Sequence, residues 1–176
     1  AASVYGGSEY ALAFGGNEMP GYHTGPGAHL GCLVGARHSH LDNAGYSVDQ
    51  KVLVKRQLTP RELVQAILSE ERWRQVLSSL VVCFFARGIY SPETVIKALQ
   101  VAGFDLSSDS LTELGKAIHQ EKYRFKIREG FSPEDLRIPG RIFKTASVVG
   151  DWDESYLRTA LGHLREEVFG ESARAD

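Results

Sequence analysis

Residues 59–85 read TPRELVQAILSEERWRQVLSSLVVCFF and carry a strong helical signal. Thr59 offers a side-chain oxygen for an N-cap, Pro60 fits the first helical position, and Glu62 completes a capping box. Behind this start, apolar residues recur at intervals of three and four, which is the spacing of one helix face. These residues are Trp73, Val76, Leu77, Leu80, Val81, Phe84 and Phe85. The stretch therefore predicts a long amphipathic helix.

Beyond residue 85, the same combination of a capping residue and a following apolar stripe recurs. Further helix starts are predicted at Ser91-Pro92, Ser110, Ser132-Pro133 and Asp151 or Asp153, where short polar side chains precede apolar stripes. Only residues 52–54, Val-Leu-Val, resemble a strand. We therefore predict an all-α fold, in the form of a multi-helical orthogonal bundle.

A Gly/His-rich segment precedes the helical part. Residues 1–50 hold 10 of the 18 glycines and four of the six histidines. Within it, residues 26–36 (PGAHLGCLVGA) predict a helix of small residues. Because a helical glycine costs about 1 kcal/mol relative to alanine, a close approach to a neighbour is expected to compensate. We predict a Gly/His-rich segment over residues 1–57 that packs on a helical domain over residues 58–176.

Composition excludes several classes of function. The chain has 20 basic and 22 acidic residues, so no basic excess exists to neutralise the phosphates of a nucleic acid. No apolar run approaches the roughly 18 residues of a transmembrane helix, so no membrane contact is expected. Two cysteines, Cys32 and Cys83, are too few for a disulfide framework. A reduced, cytoplasmic setting is the expectation.

Two histidines and one cysteine are the main candidates for chemistry. His38 and His40 stand two residues apart, a spacing that matches no strong zinc signature, so they are either acid–base groups or hydrogen-bonded structural residues. Cys83 lies in an apolar run and is either a buried core thiol or a thiolate ligand. Since Cys32 is the only other cysteine, a four-thiolate cluster would need ligands from outside this chain.

A short basic run is the last candidate. Residues 124–128 (RFKIR), with Arg141 and Lys144, place several cations near a predicted helix end. A solvated face is the default interpretation of such a run. Capping of helix carbonyls, or a modest contact with a phosphate, is the alternative.

Three blocks carry a family resemblance. The first joins residues 19–23 (MPGYH), the small-residue helix and residues 35–40 (GARHSH); the second is 77–84 (LSSLVVCF), and the third is 126–135 (KIREGFSPED). The second is similar to a pterin and cluster motif, D-x-x-G-L-[CD], and the third to N-x-R-E-G-F-x-R-x-D. In this order the blocks resemble the tungsten-containing aldehyde ferredoxin oxidoreductases. The chain looks like the C-terminal helical portion of such an enzyme.

The resemblance implies oxidation of an aldehyde to a carboxylic acid. A tungsten (or molybdenum) bis-pterin would take up two electrons, and a [4Fe–4S] cluster would pass them to ferredoxin. Cys83 matches a cluster ligand, and His38 or His40 matches the family's histidine near the metal. Ser78, which stands where the pterin motif has aspartate, and the nearby cation Arg87 are the candidate cofactor contacts.

The resemblance also implies partners for this chain. The N-terminal cofactor domain of the same enzyme, ferredoxin and the aldehyde are the implied partners, and a homo-oligomer is possible. The isolated chain is expected to hold no iron, tungsten or pterin and to be inactive. An apolar patch is expected on the N-terminal segment, with Phe84 and Phe85 near its edge.

The alternative is a non-catalytic helical domain with a structural or interaction role. Burial of Cys83 distinguishes the two interpretations. A ligand thiol should lie at the end of an element on an open surface, whereas a packing thiol should be enclosed on all sides.

Overall fold

The computed structural model describes residues 2–8, 10–14, 17–134 and 136–172. Its α-helices are α1 (Ala2–Tyr5), α2 (Pro26–Val34), α3 (Gly45–Val48), α4 (Pro60–Ser79), α5 (Pro92–Val101), α6 (Ser108–Arg128) and α7 (Glu154–Ser172). A π-helical turn (Asp49–Leu53) continues α3, and 3₁₀ turns span Phe84–Ile89 and Gly140–Phe143. Within these ranges the only strands, β1 (Ala13–Phe14) and β2 (Asn17–Glu18), pair antiparallel. Helices make up 60% of the chain, which confirms the all-α, multi-helical prediction.

Three helices begin with the predicted capping chemistry. The Thr59 hydroxyl accepts a hydrogen bond from the Glu62 backbone N–H, and the Glu62 carboxylate accepts one from the Thr59 N–H at 2.8 Å. Ser91 caps α5 through its side chain in the same way. At the start of α7, Asp153 Oδ1 accepts a 2.8 Å hydrogen bond from the Tyr156 N–H.

Two predicted helix starts were wrong. Ser107 rather than Ser110 caps α6, because the Ser107 hydroxyl accepts a 3.1 Å hydrogen bond from the Ser110 N–H. No helix begins at Ser132, whose hydroxyl accepts from the Glu134 N–H in an irregular segment. Serine side chains make such short-range bonds in turns as well as at helix ends, so the pattern alone does not separate the two.

Helix α4 ends well before Phe85, the last residue of its predicted stripe. The Val82 N–H donates to the Leu77 carbonyl at 3.3 Å, which closes the helix with a Schellman-type turn. Val81 lies in this turn with φ +57°, the only non-glycine residue of the described ranges with a positive φ. The serines and valines at this end have weak helix propensity, which accounts for the early stop.

Small residues let α2 and α3 pack backbone against backbone, as the sequence predicts. A Cβ on Gly45 would lie 1.8 Å from the Gly27 carbonyl oxygen, so that position admits no side chain. The fully buried Asp49 carboxylate accepts hydrogen bonds from the Gly27 N–H (2.9 Å), the Ala28 N–H (2.8 Å) and the Thr24 hydroxyl (3.0 Å). This carboxylate therefore caps the N-terminus of α2 and ties it to α3.

One hydrophobic core joins the Gly/His-rich segment to the helices. Its buried members include Phe14, Leu30, Leu33, Val48, Leu63, Ile67, Tyr123, Leu157 and Leu164. A smaller cluster of Val76, Leu77, Val95 and Leu111 joins the end of α4 to α5 and α6. The strand interpretation of residues 52–54 was wrong, because Leu53 enters the core from the π-helical turn. None of the helices in the described ranges has the length and apolarity needed to cross a membrane.

Candidate functional site

Two buried charged residues on α4 fix residues 40–47, which comprise the connection before α3 and most of α3 itself and are here called the His40 loop. The Arg74 guanidinium is 2% exposed and donates to the carbonyls of His40, Leu41 and Asn43 and to the Ser47 hydroxyl, at 2.7–3.2 Å. Beside it, the Glu71 carboxylate accepts from the Ala44 N–H at 3.0 Å, and its other oxygen lies 2.9 Å from a ring nitrogen of buried His119. These bonds leave the loop little conformational freedom.

His40 is held in an aromatic setting at the start of this loop. Its ring makes edge-to-face contacts with Tyr22 and Tyr46, with centroids 4.7 and 5.8 Å away. All three rings line a cavity of about 310 Å³, here called the His40 cavity. Its other lining residues are Leu41, Ser47, Arg74, Phe84, Phe85 and Arg87. Among the described residues, neither ring nitrogen of His40 has a hydrogen-bond partner, so both are available to a bound molecule.

Arg87 is the second polar group of the His40 cavity. Its Nη1 donates to the Phe84 carbonyl at 2.6 Å, which anchors the side chain within the 3₁₀ turn. Its Nε is buried without a hydrogen-bond partner, and no carboxylate in the described part of the chain pairs with the guanidinium. Arg87 can therefore bind an anion or a carbonyl oxygen.

The Cys83 thiol is exposed and lies directly before the 3₁₀ turn that carries Phe84 and Arg87. This placement excludes the core-packing interpretation of Cys83. Cys32, by contrast, is buried in α2, and burial raises the pKa of its thiol to about 11. The two cysteines thus sit in opposite environments, one open to a partner and one enclosed.

The remaining predicted residues separate into two places. Ser78 is exposed in the last turn of α4, which leads through the Schellman-type turn to Cys83. His38 does not line the His40 cavity but a different one, together with Lys126. Burial, and the charge of Lys126, lower the pKa of His38. The structure therefore places His40 and Arg87 on one cavity, next to the 3₁₀ turn that follows Cys83. His38 lines a different cavity.

Sequence reasoning missed the residues that position His40. Glu71 and Arg74 lie one turn apart on the buried face of α4, among Leu63, Ile67 and Leu77. Charged residues on an otherwise apolar stripe are the signal that identifies them, because such groups are buried only when they are paired. Asp135, the last residue of the third block, lies outside the described residues.

Comparison with known protein families gives one match over nearly the whole chain. The family described as aldehyde ferredoxin oxidoreductase, domains 2 & 3, matches residues 1–169. The chain belongs to the aldehyde ferredoxin oxidoreductase family and corresponds to part of an oxidoreductase of that type. No curated protein and no solved structure matches the chain.

Proposed function

We propose that this chain forms one wall of the active site of a cytoplasmic enzyme that oxidises an aldehyde to a carboxylic acid. Electrons would leave through a [4Fe–4S] cluster to ferredoxin. The supporting observation is that the exposed Cys83 thiol directly precedes Phe84, a lining residue of the His40 cavity. A candidate metal ligand and a candidate acid–base group therefore belong to one region of the surface.

The single exposed thiol of this chain can fill one ligand position of a [4Fe–4S] cluster. A [4Fe–4S] cluster takes four thiolates, and Cys83 is the exposed thiol of the chain. The described residues contain no group of three or more histidine, cysteine, aspartate or glutamate side chains arranged to hold a metal. We therefore propose that Cys83 supplies a single ligand and that the N-terminal cofactor domain of the same enzyme supplies the others.

Ser78 and Arg87 are the proposed contacts to the pterin. The Ser78 hydroxyl can exchange one hydrogen bond but lacks the charge that aspartate offers a ring amine. Arg87 has an unpaired Nε and suits an anionic or carbonyl group of the cofactor. When bound, the tungsten (or molybdenum) bis-pterin supplies the two-electron oxidation.

His40 is the proposed proton-transfer group. One aldehyde and one water give one carboxylic acid, two electrons and two protons, so a side chain that exchanges protons assists the reaction. His40 has two ring nitrogens free of partners in the described chain, and Tyr22 and Tyr46 fix its ring. His38, which lines another cavity, is not proposed for this role.

The experiment is performed on the full-length enzyme that carries this chain, by following aldehyde-dependent reduction of ferredoxin. His40→Gln should lower kcat about 100-fold with metal and iron content unchanged. His38→Gln is the matched control and should retain nearly full activity. Full activity in His40→Gln, or a wild-type enzyme that oxidises no aldehyde, would contradict the proposal.

A further inference from the structure

A second cavity, of about 690 Å³, lies between the end of α2 and the end of α6. Three of its lining residues have basic side chains, namely His38, Lys126 and Arg137, and apolar walls come from Leu33, Ala36 and Leu136. The volume lies in the range of small-molecule sites, which are mostly apolar with a few placed polar groups. This cavity is called the Lys126 cleft.

Lys126 is fixed in the cleft by two backbone carbonyls and one ring. Its Nζ donates to the carbonyls of Gly35 (2.7 Å) and Val34 (3.3 Å), which caps the C-terminus of α2. It also lies 3.8 Å from the centre of the Phe131 ring. An ammonium has three N–H donors, so one remains for another acceptor.

Lys126 and Arg137 make no ion pair with any residue in the described ranges, and Arg137 is exposed. The acidic lining residue, Glu129, is paired with Arg128 at 3.3 Å. Burial lowers the pKa of Lys126 to about 8, although the negative charge of Glu71 partly opposes the shift.

We propose that the Lys126 cleft binds a small organic acid, with its carboxylate on Lys126 and Arg137 and its hydrocarbon part against Leu33 and Leu136. The charge-assisted bonds account for recognition of the carboxylate, and the apolar walls account for recognition of the tail. This site is separate from the His40 cavity. Binding is measured without turnover, so the result does not depend on the proposed reaction.

Isothermal titration of hexanoate into the full-length enzyme tests the proposal. Lys126→Gln and Arg137→Gln should each weaken hexanoate binding about tenfold. Arg124→Gln, which removes an exposed cation on the same helix that is paired with Glu121, should leave binding unchanged. Acetate, inorganic phosphate and 1-hexanol should all bind more weakly than hexanoate. Acetate lacks the hydrocarbon tail, 1-hexanol lacks the carboxylate, and phosphate lacks both.

Two further readouts do not depend on the Lys126 variant folding normally. Hexanoate affinity should fall as the pH rises above 8, where Lys126 loses its proton. Hexanoate should also slow acetylation of Lys126 by acetic anhydride, as measured by peptide mass spectrometry. Unchanged binding in Arg137→Gln together with no protection of Lys126, or phosphate binding as tightly as hexanoate, would overturn the proposal.

Discussion

At the scale of single residues, the turn between α4 and Cys83 contains a strained position. Val81 has φ +57°, and its side chain is 90% exposed, so no packing contact offsets the strain. The motif that this segment resembles has glycine there, which adopts this conformation without steric cost. The positive φ at position 81 therefore explains why the motif has glycine two residues before its cysteine.

Replacing Val81 with glycine should therefore stabilise the chain. A left-handed backbone costs a side-chain-bearing residue about 1–2 kcal/mol, which outweighs the greater freedom of glycine in the unfolded state. We expect Val81→Gly to raise the free energy of unfolding by about 1 kcal/mol in urea denaturation. Val101, also exposed but with a negative φ at the last residue of α5, is the control, and Val101→Gly should not stabilise the chain. Destabilisation by Val81→Gly would contradict the strain argument.

The two cysteines should differ in reactivity under native conditions. Exposed Cys83 should react rapidly with a thiol reagent at neutral pH, whereas Cys32 is shielded and its pKa is raised to about 11. Mass spectrometry of the labelled 176-residue chain should find the label on Cys83 alone until denaturant is added. Labelling of Cys32 first would show that the two environments had been assigned the wrong way round.

At the scale of elements, α4 both builds the core and positions the His40 loop. Arg74 donates hydrogen bonds to the His40 loop and to the Glu70 carboxylate (2.9 Å), so this guanidinium, together with the Glu71 carboxylate, holds the loop conformation. Lysine cannot reproduce this set, because its ammonium lacks the planar fork of donors. The buried polar contacts of α4 therefore link the fold to the candidate site.

Arg74→Lys should destabilise the chain by about 2 kcal/mol, since the buried Asn43 carbonyl and two part-buried carbonyls lose their donor. In the full-length enzyme the same change should lower aldehyde oxidation, because the His40 ring loses its fixed position. Urea denaturation and initial rates measure the two effects. Arg61→Lys, an exposed residue of the same helix, should change neither quantity. Wild-type stability in Arg74→Lys would show that the loop is held by other contacts.

The carboxylate that caps α2 should make stability depend on pH. Burial raises the pKa of Asp49 to about 6, although three hydrogen bonds partly oppose the shift. The folded state therefore binds more protons than the unfolded state between about pH 4 and 6, so this stabilising contribution is complete below pH 4 and is lost as the pH rises through 6. Relative to Asp49→Asn, wild type should lose roughly 3 kcal/mol of unfolding free energy between pH 4 and 7.

Asp105→Asn is the control for this pH series, because Asp105 is exposed in the loop before α6. Its unfolding free energy should follow that of wild type at every pH. A constant difference between wild type and Asp49→Asn across the series would contradict the buried-carboxylate argument.

At the scale of the whole molecule, exposed apolar residues lie close to Cys83. Val81, Phe85 and Ile89 are 90%, 92% and 67% exposed. Phe84, by contrast, is half-buried and packs on the smaller hydrophobic cluster. The N-terminal segment also exposes apolar residues at Val4, Tyr5 and Tyr10. The apolar surface around the cysteine is consistent with the proposed contact to a cofactor domain.

The helices were predictable from sequence, and much of the site was not. Capping residues and apolar periodicity are local, so α4 and α5 could be read directly from residues 59–101. The separation of His38 from His40 depends on the backbone of a turn, which residue spacing does not determine. The aromatic setting of His40 also depends on Tyr22, eighteen residues away, and its loop on Arg74 of α4. Such long-range contacts need the tertiary structure.

The most direct test of the account is the iron content of the full-length enzyme in two cysteine variants. Cys83→Ala should abolish or strongly reduce the electron paramagnetic resonance signal of the reduced [4Fe–4S] cluster and lower the iron bound per chain. Cys32→Ala, which removes the buried thiol, should keep both close to wild type. The account predicts this contrast, and a Cys83→Ala enzyme with wild-type iron and an unchanged signal would contradict it.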